Sequence, residues 1–126
     1  MWPAPGAITG PFGERRASGP HPGLDVDGET GDPIVVAVGG KVLWAGPALA
    51  GFGGYGNVVI IDAGNGVMTL YAHLSAWNLQ TGQEALQGAH LGNIGVSGFV
   101  TGSHLHFEVR LNNVPVDPEK YLPKRP

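Results

Sequence analysis

The sequence contains no cysteine. Disulfide staples and thiolate metal ligands are therefore excluded, and any metal site must be built from histidine and carboxylate, although the redox compartment stays open because a cysteine-free chain tolerates either. Clusters of like charge are also missing. Seven basic residues stand against ten acidic ones, for a net charge of −3, and with neither sign clustered there is no electrostatic footprint for nucleic acid or an anionic membrane. No apolar stretch approaches the roughly 20 residues needed to span a bilayer, and "MWPAPGAITG" at residues 1–10 lacks the charged and hydrophobic regions of a secretion signal. The chain reads as soluble, with no nucleic acid partner and no membrane insertion. Helical patterning is the last absence: nowhere do apolar residues recur at i, i+3, i+4 and i+7 over ten or more positions.

What the chain does have is 22 glycines and 11 prolines in 126 residues, a proportion that without hydrophobic order would suggest disorder. Leucine, isoleucine, valine and phenylalanine are equally numerous and fall in short alternating runs, so glycine and proline read as punctuation between strands. Residues 1–32 read mostly as loop. Next come "PIVVAV" (33–38) and "KVLWAG" (41–46), which Gly39-Gly40 is expected to join as a hairpin. The loop "PALAGFGGYG" (47–56) follows. Gly64-Asn65-Gly66 supplies the positive-φ positions of the clearest hairpin, between "NVVIIDA" and "VMTLYAHL". Beyond a polar stretch at 75–90, "LGNIGV" and the loop "SGFVTGS" (97–103) lead to "HLHFEVRL", and Asn112-Asn113 turns the chain into "VPVDPEKYL". "PKRP" at the C-terminus is the nearest thing to a linker. The expected fold is all-β or nearly so, a compact antiparallel sheet of barrel-like or sandwich-like form, with residues 1–126 as a single domain, the length being too short for two of typical size.

The candidate chemistry lies in the histidines. Period-two alternation from His104 to Leu111 sends Leu105, Phe107, Val109 and Leu111 to one face and His104, His106, Glu108 and Arg110 to the other. The two imidazoles then start about 6 to 7 Å apart and reach one cleft. "HPGLD" places His21 four residues before Asp25; extended, the two would stand about 13 Å apart, so joint ligation of one ion requires a bend at Pro22-Gly23. His73 reads equally as a hydrogen-bonded histidine at a sheet edge, and His90, after a turn, as an exposed one. Glu108 shares the His106 face, either as an outer partner that orients an imidazole or, equally, as an exposed carboxylate paired with Arg110 or with solvent, and it is left outside the site. Spacing alone does not decide whether His104 or His106 would bind a metal.

In order along the chain, "ITGPFGERR", "HPGLD", "GDPIVVAVGGKVLWAG", "GYGNVVIIDAGNG", "LYAHLS", "TGSHLHFEV" and "PVDPEKYL" resemble the M23 peptidases, the lysostaphin-type or LytM-like zinc endopeptidases of bacterial cell walls. The resemblance covers nearly the whole chain, and its most specific parts are His-x-Gly-x-Asp and His-x-His. It implies one Zn2+ per chain held in a groove by His21, Asp25 and His106, with His73 and His104 as catalytic histidines. Three protein ligands leave the fourth tetrahedral position that hydrolytic zinc sites require. The implied activity is hydrolysis of peptide bonds in the stem or cross-bridge of peptidoglycan, outside the cytoplasm, the chain being the whole or the catalytic domain of a longer secreted precursor or a phage lysin. Two other classes compete. Some LytM-like domains have lost zinc ligands and activate cell-wall amidases, whereas all five positions are filled here. A histidine phosphocarrier also uses paired histidines on short strands, but has no use for Asp25 beside His21. His90 and the long 47–56 loop depart from the family pattern, the loop being the departure that bears on substrate preference.

Overall fold

The computed structural model describes residues 1–49, 53–98 and 100–125; residues 50–52 of the 47–56 loop, residue 99 of the 97–103 loop and the last residue of the tail lie outside the described residues. The chain forms strands β1 (Ile8–Gly10), β2 (Arg15–Arg16), β3 (Gly19–Pro20), β4 (Leu24–Asp27), β5 (Pro33–Val35), β6 (Gly40–Pro47), β7 (Asn57–Gly64), β8 (Val67–Ala72), β9 (Leu74–Trp77), β10 (Glu84–Ala85), β11 (His90–Ile94), β12 (His104–Leu111) and β13 (Val114–Val116), with short 3-10 turns at Gly53–Tyr55 and Pro118–Tyr121. The domain is nearly all β, as the patterning predicts. No helix among the described residues is long and apolar enough to cross a membrane.

An eight-stranded sheet runs β1-β4-β12-β8-β7-β6-β10, with β13 also paired to β12, and a three-stranded sheet runs β5-β11-β9. Each ladder is antiparallel. The main core gathers Leu24 and Val26 of β4, Leu105, Phe107 and Val109 of β12, and Ile34, Leu91 and Ile94 of the smaller sheet. Alternation on β12 thus commits one face to this core, and burying a side chain of this size contributes roughly 1.5–3 kcal/mol. Val58, Leu70 and Ala72 form a smaller cluster with Trp44 and Tyr55 packed on it.

The β7–β8 hairpin turns through Gly64, Asn65 and Gly66 at φ of 88°, 53° and 81°, and Asn112 and Asn113 turn β12 into β13 at 50° and 67°. These left-handed positions suit glycine and asparagine, which is why both turns are readable from sequence. Gly39-Gly40 does not make the expected hairpin. β5 pairs with β11, and β6 pairs with β7 and β10. Between them Val36 and Ala37 are fully buried, with Val36 N donating to Ala89 O and Ala37 N to the Tyr71 hydroxyl. Gly40 is required because a Cβ there would collide with the backbone carbonyl of Asp62. Two further expectations are corrected. Residues 1–32 carry β1 to β4, so Asp25 sits on a strand. The tail is docked: Arg125 donates to Ala4 O at 3.0 Å and lies 3.7 Å over the Trp2 ring, while Trp2 Nε1 donates to Pro123 O.

Candidate metal centre

The register of β4 against β12 sets His106 directly opposite Asp25. Since Leu24, Val26, Leu105 and Phe107 fill the core, Asp25 and His106 project from the other face of the same pair of strands. The bend at Pro22-Gly23 then brings His21 back over them. Gly23 permits it: a Cβ at this position would stand 2.6 Å from Phe107 O and 2.9 Å from His106 Cε1. All three residues are buried.

Their donor atoms converge. His21 Nε2 is 3.4 Å from Asp25 Oδ1 and 3.3 Å from His106 Nδ1, and His106 Nδ1 is 3.0 Å from Asp25 Oδ1. The outward nitrogens are committed elsewhere. His21 Nδ1 lies 3.1 Å from Pro11 O, and His106 Nε2 lies 2.7 Å from Glu108 Oε2; because both partners only accept, each of these nitrogens carries its proton there. Two imidazole lone pairs and a carboxylate oxygen are left facing one another, an arrangement that calls for a cation. Zinc bonded at 2.0–2.2 Å in a tetrahedron would place its ligand atoms about 3.3–3.6 Å apart. The observed 3.3 and 3.4 Å spacings fall in that range and the 3.0 Å spacing lies just under it, so the three donors suit that group with a small outward shift of one. Without a metal, burial raises the Asp25 carboxyl, but hydrogen bonding from the His106 and His21 rings in their protonated forms outweighs it and holds the group well below the usual carboxylate range. Its other oxygen, Oδ2, accepts from Arg16 at 3.0 Å.

His73 and His104 complete the cluster. Their ring centroids are 5.0 Å apart, and His73 is 5.9 Å from His106. His104 Nε2 approaches Asp25 Oδ1 to 3.5 Å. His73 stands between β8 and β9 at a φ of 63°, a conformation that costs a non-glycine residue of order 1–3 kcal/mol and persists only when the surroundings enforce it. Here its backbone N–H donates to Tyr55 O at 2.9 Å and its Nδ1 to Ser97 O at 2.7 Å. His104 Nδ1 likewise donates to Gly102 O at 3.0 Å. Both rings are therefore anchored through Nδ1, which leaves the Nε2 lone pair as the free acceptor. The five sequence-derived residues line one groove of about 990 Å³. His90 lies apart on β11, exposed, with its ring against Gly92 O.

Burial pushes His73 down to about 4 from its ordinary 6.5. In metal-free protein its imidazole is therefore expected to stay neutral until the pH nears 4, as read from its ring resonances in an NMR titration. Because the folded value is depressed, the stability it contributes is present above 6.5 and is lost as pH falls toward 4. A titration midpoint near 6.5 would contradict this.

Glu108 is neither solvated nor incidental. It is fully buried and touches His106 as well as Arg110; the reading of an exposed carboxylate therefore fails, although the Arg110 pairing it included is present, and the contact with His106 is the one an orienting partner would make. Alternation placed it on the right face but gave no sign that Tyr55 reaches it there. Tyr55, whose ring centroid is 5.0 Å from that of His106, and Arg16 escaped sequence reasoning altogether, since nothing in their local pattern marks them.

An antiparallel β domain with two histidines and an aspartate gathered as candidate metal donors in one groove is the class that fold and site define. The chain belongs to peptidase family M23, whose family model matches residues 19–118. It is 40% identical over 116 residues to the DD-carboxypeptidase/endopeptidase Mpg of Neisseria meningitidis serogroup B, covering 88% of this chain and 26% of that protein. It is 35% identical over 124 residues to the murein hydrolase activator NlpD of Salmonella dublin, covering 98% of this chain and 31% of that protein. Its fold superposes on a zinc-containing peptidase from Vibrio cholerae with a TM-score of 0.85 at 32% identity, covering 97% of this chain and 40% of the other. The chain thus spans less than half the length of these relatives.

Proposed function

We propose that residues 1–126 form one catalytic domain, a zinc-dependent endopeptidase that hydrolyses peptide bonds in bacterial peptidoglycan outside the cytoplasm. The observation that carries this reading is the convergence of His21 Nε2, Asp25 Oδ1 and His106 Nδ1 to within 3.0–3.4 Å of one another, beside two more imidazoles that present acceptors to the same groove. Zinc at the three donors would polarise the scissile carbonyl and acidify a water to a pKa of about 7. His104 and His73 handle protons. Each offers Nε2 to the groove, so the imidazole that takes the attacking water's proton can return it to the leaving amine, while the Nδ1 bonds to Gly102 O and Ser97 O fix both ring planes. Thr9, Val100 and Thr101 also line the groove, along which an extended peptide would lie.

The likeness to a protein named as a murein hydrolase activator supports a second reading, in which the domain binds and stimulates another enzyme. That role needs no metal donors and no proton acceptors, and this chain has both sets in place. Digestion of defined muropeptides by the zinc-loaded protein, with the new termini identified by mass spectrometry, separates the two. Cleavage is expected. An intact substrate, together with stimulation of an added amidase, would establish the activator instead.

A further inference from the structure

We propose that Glu108 is a positioning residue: it grips His106 by Nε2 so that Nδ1 turns toward His21 and Asp25, and Tyr55 and Arg110 hold Glu108 in that pose. The proposal rests on the zinc reading above and goes beyond it, because it concerns what makes His106 a competent ligand. An imidazole can rotate by half a turn about Cβ–Cγ, and the flipped ring would present carbon instead of nitrogen to the donor cluster. Which nitrogen faces a metal is set by the hydrogen bond that the other one makes.

The geometry of Glu108 suits that task. Oε2 accepts from His106 Nε2 at 2.7 Å and from the Tyr55 hydroxyl, and Oε1 accepts from Arg110 Nε at 2.8 Å. The residue is wholly inaccessible to solvent. A buried ion pair adds little net stability over an apolar side chain of the same volume, so packing of β12 does not account for a glutamate here, whereas the His106 contact does. The strand makes the arrangement inexpensive to build: His106, Glu108 and Arg110 are successive residues on one face. Asp25 is treated in parallel, with Oδ2 on Arg16 and Oδ1 turned to the cluster. Each carboxylate therefore uses one oxygen on an arginine and the other at the site. Tyr55 adds a second link, because its carbonyl takes the backbone N–H of His73. The Gly53–Tyr55 turn thereby ties the orientation of His106 to the strained backbone of His73.

The test compares wild type with Glu108→Ala, Glu108→Gln and Tyr55→Phe. Zinc affinity, measured by competition with a chromophoric chelator, is expected to fall about 10- to 100-fold in Glu108→Ala, the usual effect of losing such a partner. Glu108→Gln should fall between it and wild type, since an amide oxygen still accepts from Nε2–H, and Tyr55→Phe should lose several-fold. In metal-free protein, ¹⁵N-edited spectra should show a slowly exchanging His106 Nε2–H signal in wild type and Glu108→Gln and none in Glu108→Ala, a change that a purely structural role would not produce selectively. A folded Glu108→Ala with wild-type zinc affinity, or with that signal retained, overturns the proposal. Should Glu108→Ala fail to fold, wild-type affinity in both Glu108→Gln and Tyr55→Phe overturns it equally. A wild-type protein that binds no zinc overturns the zinc reading instead, and the Nε2–H signal then decides the positioning role alone.

Discussion

His106→Ala is expected to empty the chain of zinc, and His104→Ala to leave zinc bound while activity falls by about 10²- to 10⁴-fold, the usual contribution of a positioned acid or base. The two residues lie two apart on β12 and face the same groove, so the difference must come from what each ring touches. His106 Nδ1 stands 3.0 Å from Asp25 Oδ1 and 3.3 Å from His21 Nε2. It is buried, and its outer nitrogen is spent on Glu108. Removing it deletes one of three donors and leaves Asp25 and His21 without the shape of a site. His104 is less enclosed, with its side chain 20% exposed and Nε2 3.5 Å from a single donor, Asp25 Oδ1. Its place is the edge of the cluster, where a substrate and a water would lie. Metal content by elemental analysis and muropeptide cleavage rates, taken on the same preparations, read the two effects separately. Equal loss of zinc in both variants would sink the division of roles.

That division could not be drawn from spacing, because His-x-His shows only that two rings share a face. The proposed division rests instead on long-range partners: Asp25 opposite His106 in the β4–β12 register, and Gly102 O holding the His104 ring. What the sequence did disclose was local. The turns at 64–66 and 112–113 announce themselves because asparagine and glycine tolerate positive φ, and the alternation of β12 marks its core face because Leu105, Phe107 and Val109 must all be dry. Gly39-Gly40 misled for a physical reason. A glycine pair signals a turn or a close backbone approach equally, and here Gly40 serves the approach to Asp62. Glu108 misled because a charged residue on the non-core face of a strand is ordinarily solvated, whereas here it is buried, with Gly23 packed close to it and Tyr55, far away in sequence, donating to it. Arg16 could not be read at all, since its partner Asp25 is fixed by the fold of residues 10–25 and not by any motif.

Chelation of the metal is expected to lower Tm by on the order of 10–20 °C, and by more as the pH rises above 6.5. A ligand present at about a thousand times its dissociation constant stabilises the folded state by about 4.1 kcal/mol, and in a domain of this size each kcal/mol moves Tm by a few degrees. The pH trend follows from what replaces the cation. In metal-free protein, burial disfavours the charged form of His106, but Asp25 and Glu108 on its two nitrogens outweigh that and raise its pKa above the ordinary 6.5. A proton on His106 then partly occupies the role of the metal. Because the folded value is raised, that stabilisation is fully present below 6.5 and is lost as pH climbs through the folded pKa, which returns the cluster to facing lone pairs. Zinc needs the same nitrogen deprotonated, so its binding tightens over the same range. Both trends widen the gap between holo and metal-free protein. Calorimetry with and without chelator across pH 6–8 reads the gap directly, and a gap that is absent, or that narrows as pH rises, would show that His21, Asp25 and His106 do not share a cation as proposed.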